Sequence, residues 1–433
     1  MAKHVQMPPI YPIPQNWTWV ELRQLTRIIS GYPFDSKLFS DLDTEGRPII
    51  RIRDVVRGYT ETYTIEDCHE QYIIHKNDVL IGMDGDFNVG KWQSENALLN
   101  QRVCFIQSIS DLLLNDYLFY FLPRPLKQIN DVTPSVTVKH LSAKTIEAIM
   151  IPLPPIEEQR RIISLIESLF SKLDEAKEKA QEVVDGFEVR KAAILHKAFS
   201  GELSARWRNE NDIPREGWQC VKLGYLLKEI KYGTSEKSDY SFSGVPVLRI
   251  PNIGEMELIF DDVKHLQRED CTTNEYLKEN DILIIRSNGS KDLVGKCALV
   301  RNLDREYTYA SFLIRLRTVE DISAEYIVWY LNSEDARRQL FSKAKSSAGI
   351  HNINSKEIAD IDIMIPDISE QNAIVELLSN FIQKEKRVRE AAETVIEQIE
   401  TMKKAILVRA FRGELGTNDP TERNEKELLR KIL

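Results

Sequence analysis

Gly85-Asp-Phe-Asn-Val-Gly90-Lys91 has the G-x-x-x-x-G-K spacing with which a phosphate-binding loop cradles a nucleotide. Such a loop next requires a Ser or Thr to hold magnesium, and Trp92 stands there instead. A second-half counterpart, Gly289-Ser-Lys-Asp-Leu-Val-Gly295-Lys296-Cys297, is one residue longer. A cradle whose amides converge on fixed oxygens does not absorb an insertion, so a tight turn carrying a lysine is expected. The two Pro-Pro pairs, Met7-Pro8-Pro9-Ile10 and Leu153-Pro154-Pro155-Ile156, lack the polar first and aromatic last residue with which amino-methyltransferases grip an amine. No G-x-S-x-G, H-E-x-x-H or EF-hand pattern is present. Cys68-His69 is an isolated pair on a polar segment and reads as structural. The chain is therefore expected to catalyse nothing alone, and no metal site is expected in it.

The remaining signal is one of binding. Arg51 and Arg53, and in the second half Arg249, follow Pro48 and Pro246 on what read as paired strands. With Lys91, the run Arg286-Ser-Asn288-Gly-Ser290-Lys291 and Lys296 form basic, glycine-containing turns. Arg337-Arg338 leads into Lys343-Ala-Lys345 and on to His351-Asn352, whose first-half counterpart is Thr133-Pro-Ser-Val-Thr-Val-Lys139-His140. Arg, Lys, Asn, Ser and His on loops suit both jobs of DNA recognition, phosphate contact and base-edge hydrogen bonding. A solvated surface is the plainer alternative for any one of these residues.

These side chains need a frame to hold them. At roughly 150 residues per domain, 433 residues suggest about three units. With 42% hydrophobic and 29% charged residues the balance is globular. The formal charge of −9 argues, taken alone, against a nucleic-acid binder that works by bulk positive charge. No apolar window suggests a membrane span, and the start has no apolar core like that of a signal peptide. Five scattered cysteines, never spaced C-x-x-C, fit a reducing cytoplasm.

Two stretches lack proline, from Pro155 to Pro214 and from Pro366 to Pro420, and each carries a heptad series. The first runs Ile162, Ile166, Leu169, Leu173, Ala176, Ala180, Val183, Phe187, Arg190, Ile194. The second runs Ile374, Leu378, Phe381, Glu385, Val388, Ala392, Val395, Ile399, Met402, Ile406. Their four-three steps predict coiled-coil seams. The stretches are also copies: residues 142–203 overlay 354–415 without a gap, with 24 identities in 62 positions. Gly201 and Gly413 end both where a helix C′ glycine belongs. His196 faces Val408 across the repeat, which argues against a shared catalytic role. Upstream blocks repeat more loosely. Asn77-Asp-Val-Leu-Ile81 matches Asn280-Asp-Ile-Leu-Ile284, and Asp116-Tyr-Leu-Phe-Tyr-Phe-Leu122 matches Glu325-Tyr-Ile-Val-Trp-Tyr-Leu331, while the loops between differ. The sequence thus predicts an α+β chain duplicated in tandem, each copy a mixed α/β domain followed by one long helix.

Ile-Pro-Leu-Pro-Pro-Ile-Glu-Glu-Gln159 entering a long helix that ends Lys197-Ala-Phe-Ser-Gly-Glu-Leu203 recurs as Ile365-Pro-Asp-Ile-Ser-Glu-Gln371 and Arg409-Ala-Phe-Arg-Gly-Glu-Leu415. This pairing resembles the specificity subunits of type I restriction-modification systems, over roughly residues 13–415. The resemblance implies a first target-recognition domain at 1–155, a spacer helix at 156–205, a second recognition domain at 206–367, a second helix at 368–415 and a tail at 416–433. It implies a non-catalytic chain that reads a bipartite, asymmetric site in double-stranded DNA. Two modification subunits carrying S-adenosylmethionine would dock on it and methylate adenine, and restriction subunits would add ATP- and magnesium-dependent translocation and cleavage. The helices would pair antiparallel through Ile162, Ile166, Leu169, Leu173, Val183, Phe187 and Ile194 against Ile374, Leu378, Phe381, Val388, Val395, Ile399 and Ile406. Glu385 breaks the second seam, and Gly186 interrupts the first helix. A free-standing DNA-binding regulator and a coiled-coil scaffold without nucleic acid remain open alternatives. No domain of the chain is basic overall, so in the resembled assembly the partners would supply much of the phosphate grip.

Overall fold

The computed structural model describes residues 10–42, 46–134, 138–214, 217–269, 271, 275–343, 345–347 and 350–422. The chain divides into two compact units, residues 1–179 with 395–433, and residues 180–394.

In the first unit a four-stranded antiparallel sheet has the order Thr26–Ser30, Val103–Ser108, Val79–Gly82, Val89–Lys91. The apolar run at 79–81 exists because both faces of this sheet are covered. Val79 and Ile81 point into a core with Leu22, Tyr117 and Leu118, and Leu80 points into another with Ile50, Trp92 and Leu99. A second, mixed sheet has the order Phe39–Ser40, Tyr63–Thr64, Arg47–Ile50, Ala97–Leu99, Ile73–Ile74. The aromatic run forms the helix Asn115–Phe121, and Tyr117 and Phe121 meet the Phe411 ring at 5.0 and 5.2 Å.

The second unit repeats this plan. Its five-stranded sheet runs Leu227–Tyr232, Leu313–Thr318, Ile282–Ile285, Cys297–Leu299, Met256–Glu257. A four-stranded sheet runs Ser238–Asp239, Lys264–Leu266, Pro246–Leu248, Thr308–Tyr309. Ile282 and Ile284 face one core, Leu283 and Ile285 the other. The helix Ala324–Leu331 places Tyr326 and Tyr330 against Phe199, at 5.3 and 5.1 Å.

The long elements are the helices Ile156–Asp185, Phe187–Phe199 and Ile368–Ala410. The last, of 43 residues, is about 65 Å long at 1.5 Å per residue. The first long helix breaks at Gly186. A Cβ there would meet the Arg190 guanidinium, which instead bonds to Glu385 at 2.7 Å and to Val183 O at 2.8 Å. Gly201 and Gly413 adopt φ of 79° and 71°, the left-handed ends expected of them. In the first unit Lys177 pairs with Glu400 at 2.6 Å and Lys403 with Asp174, so increasing numbers on one helix meet decreasing numbers on the other.

Only part of the expected seam faces inward. Ile162, Ile166, Phe187, Ile374, Leu378 and Ile399 are buried, while Leu169, Leu173, Val183, Ile194 and Ile406 are half-buried. Phe381, Val388 and Val395 differ from the expectation: they are exposed, with Met402. The buried set near the helix start is Ile374, Leu378 and Ile382, a step of four that follows the 3.6-residue helix rather than a 3.5-residue heptad. Beyond Leu378, the positions Phe381, Val388, Val395 and Met402 of this helix turn outward while Ala392 and Ile399 turn inward.

Candidate nucleic-acid interface

Both units build one structural feature in the same way, at the end of the central strand. In the first unit the Met83 N–H donates to Arg102 O (2.8 Å) and the Leu141 N–H to Met83 O (2.7 Å). In the second the Arg286 N–H donates to Phe312 O (3.0 Å) and the Ile353 N–H to Arg286 O (2.8 Å). Cys104 lies opposite Ser30, as Ile314 lies opposite Tyr232. These registers make Met83 and Arg286, Arg102 and Phe312, Ser30 and Tyr232, and His140 and Asn352 equivalent positions on two copies of one rim.

In the second unit, Ser287–Asn288, Ile350–Asn352 and Lys345–Ser347 form a small three-stranded sheet there, which brings Arg286, Asn288, His351 and Asn352 together. The Arg286 guanidinium lies 4.7 Å over the exposed Tyr232 ring, with Nη1 donating to Ser311 O and Nε to Asn352 Oδ1, both at 3.4 Å. Its partners are neutral oxygens. Among the described residues Arg286 makes no ion pair, so its charge stays available to an anionic ligand. Ser290 and Lys291 follow on the exposed turn, with the Lys291 ammonium 5.0 Å over Phe341. Lys296 and Arg337 line an open cleft with Trp329, and burial lowers the Arg337 pKa. The side chains of Lys343 and Lys345 lie outside the described residues.

In the first unit, His140 bridges to Asp84, and its Nδ1 lies 2.7 Å from Asp84 Oδ1. Arg102 Nε is 3.4 Å from the other oxygen of the same carboxylate. The Lys139 ammonium is engaged locally, donating to Asn130 O at 2.6 Å. Lys91 belongs to a strand rather than to a turn: its ammonium sits 2.8 Å from Asp116 and 4.8 Å over Phe119. Lys91 lies opposite Val79 in the strand pairing, and its side chain is half-buried.

Arg51, Arg53 and Arg249 do not sit on strands as expected. The strands Arg47–Ile50 and Pro246–Leu248 end just before them. The Arg51 N–H is capped by Asp54 Oδ2 (2.9 Å) and the Arg249 N–H by Asn252 Oδ1 (2.7 Å), which bends both chains into helical turns. Arg53 donates to Thr62 Oγ1 at 3.3 Å. The Arg249 guanidinium, 3.1 Å from Asp262, lies 5.6 Å over exposed Tyr240, whose ring also carries Lys264 at 4.8 Å. Sequence reasoning did not single out Arg102, Tyr232, Tyr240 and Phe312, which the fold leaves exposed beside these basic side chains. Their only sequence signal was the loose block repeat, which stops short of them.

Burial pushes the Cys104 and Cys297 thiols up to about 12, so neither is a thiolate nucleophile. Among the described residues no helix is long and apolar enough to cross a membrane, and no cluster of three His, Cys, Asp or Glu could hold a metal ion.

The family described as the type I restriction modification DNA specificity domain matches residues 14–184 and again residues 215–398. The chain belongs to this family. It is similar to the type I restriction enzyme EcoBI specificity subunit of Escherichia coli, 28% identical over 425 residues, with 93% of this chain and 87% of that one covered. The EcoKI specificity subunit of Escherichia coli K12 is 24% identical, covering 93% of this chain and 90% of the relative. Among solved structures, an HsdS subunit from Thermoanaerobacter tengcongensis shares the fold at a TM-score of 0.60 and 18% identity, over 94% of this chain and 99% of that chain. A chain from work on complex assembly and conformational transition of the type I R-M system reaches 0.69 at 19% identity, over 94% of this chain and 100% of that chain. Two specificity domains in tandem, each of mixed helices and strands, are the architecture of this chain.

Proposed function

We propose that this chain is the DNA-recognition subunit of a type I restriction-modification assembly and reads a split site, one unlike half-site per unit. The observation that carries the reading is the doubled specificity domain. Each copy carries the same backbone rim with different side chains, and different side chains on one frame suit an asymmetric site rather than a palindrome. The long helices would act as the coiled-coil spacer that sets the gap between half-sites. The apolar side chains on helix Ile368–Ala410 that turn outward, Phe381, Val388, Val395 and Met402, suit contact with helices of modification subunits. Those partners would carry S-adenosylmethionine, and restriction subunits ATP and magnesium.

The experiment is to purify the chain with a modification subunit and map methylated adenines genome-wide. A bipartite motif is expected, and a contiguous palindrome or no motif would refute the reading. Exchanging residues 13–141 for those of another family member should change one half-site and leave the other intact. With a formal charge of −9, the chain alone should bind DNA weakly and lose that binding steeply with salt. It should bind far more tightly once the modification subunits are present, and equal affinity in both states would contradict the division of labour.

A further inference from the structure

We propose that the shared rim is where each unit reads its bases, with Arg102 and His140 specifying the half-site of the first unit and Phe312 beside Arg286 that of the second. This rests on the DNA-recognition reading above and names the residues that would deliver it. Backbone bonds hold both rims in the same place, so what differs between them is side-chain chemistry.

Arg102 adopts φ of 72°, a left-handed conformation uncommon outside glycine, and one that functional residues often hold. Two-thirds of its side chain is exposed, and its Nε lies 3.4 Å from Asp84, which also holds His140. One carboxylate thus holds the two side chains next to each other, and the exposure of Arg102 leaves its guanidinium fork open to a ligand. That fork matches the O6 and N7 acceptors of guanine in the major groove. The first unit should therefore read a G·C pair at one position.

At the equivalent point the second unit presents Phe312, 56% exposed and with no polar side-chain atom. An exposed phenyl ring at the end of a sheet suits the methyl group of thymine, which distinguishes an A·T pair. Arg286 lies next to it, flat on Tyr232 and without a carboxylate partner among the described residues, where it can hold the adjacent phosphate and fix the register of Phe312. The two rims thus offer unlike chemistries, a donor fork against an apolar ring.

The test uses the full chain with its modification subunit, comparing the methylated motif of the unaltered complex with those of Arg102→Ala, Arg102→Lys and Phe312→Ala. Both side chains are exposed, so unchanged melting temperatures are expected. Arg102→Ala should relax a single G·C position in one half-site, with a loss of discrimination of roughly tenfold to a hundredfold. Arg102→Lys keeps the charge but loses the fork, and should relax the same position. Phe312→Ala should relax one A·T position in the other half-site. A variant motif identical to the unaltered one, or a change in both half-sites from one substitution, overturns the proposal while the DNA-recognition reading stands. An unaltered complex that methylates without a bipartite motif overturns both.

Discussion

Replacing Glu370 with alanine is expected to destabilise the second unit by about 3–5 kcal/mol, the cost of stranding a buried charge. Glu370 is 1% exposed. Its Oε1 accepts from Arg208 Nη1 at 2.6 Å and Ser204 Oγ at 2.7 Å, and Oε2 accepts from Trp218 Nε1 at 2.9 Å. Alanine would leave the Arg208 side chain, itself 8% exposed, without its counter-charge. Glu370 also lies in the first turn of its helix, where a carboxylate favours the partial positive charge of the free N–H groups. Denaturant unfolding should show the second-unit transition move to lower concentration. Pairing Glu370→Leu with Arg208→Met should recover most of the loss, because an apolar pair removes both charges together. A shift of less than about 1 kcal/mol for Glu370→Ala would show that water reaches the site. The repeat supplies an internal comparison. Glu158, the matching residue, is buried against Arg161 Nη2 (2.7 Å) and Thr417 Oγ1 (2.7 Å), but Arg161 is 39% exposed and also bonds to Glu422. Solvent and Glu422 can take up that charge, so Glu158→Ala should cost clearly less.

The same residues show how much the sequence revealed. The Glu-Gln pairs were legible as a repeat, but their purpose was not. Gln159 accepts from the Leu114 N–H and donates to Leu112 O, and Gln371 accepts from the Ser323 N–H and donates to Pro366 O. Each glutamine ties its helix start to the loop before the aromatic helix, a contact 47 residues distant in the case of Gln159. Local patterns were readable because they depend on neighbours: the buried strands at 79–81 and 282–284, the helices at 115–121 and 324–331, the glycines at 201 and 413. The rim was not, because it exists only when Met83 meets Leu141 and Arg286 meets Ile353. Arg102 and Phe312 share no residue type, and only the hydrogen-bond register shows that they occupy the same place. The seam was half legible. Hydrophobic spacing fixes which positions are apolar, but the twist of the helix and its partners decide which of them face inward.

Gly90→Ala is expected to destabilise the first unit by about 3 kcal/mol or more, above the usual cost of an overpacked core. A Cβ built on Gly90 would lie 1.7 Å from Val55 O and 2.7 Å from its carbonyl carbon, so the helix Asp54–Arg57 must move away from the strand Val89–Lys91. Backbone cannot yield here as a flexible side chain would. Gly85 supplies the contrast. It adopts φ of +75° with open space beside its Cβ position, so Gly85→Ala costs only the left-handed penalty of about 1–2 kcal/mol. The two glycines of the G-x-x-x-x-G-K run therefore serve different needs, a turn and a close approach. Trp92, the residue that breaks the nucleotide motif, is fully buried, with Nε1 donating to Glu95 O at 2.7 Å. Adding a nucleotide with magnesium should leave the melting temperature unchanged in the unaltered chain and in both variants. A Gly90→Ala chain as stable as the original would mean that helix and strand are not held in contact. A nucleotide-dependent rise in melting temperature that disappears in Gly90→Ala would restore the phosphate-loop reading that Trp92 and the hairpin geometry argue against.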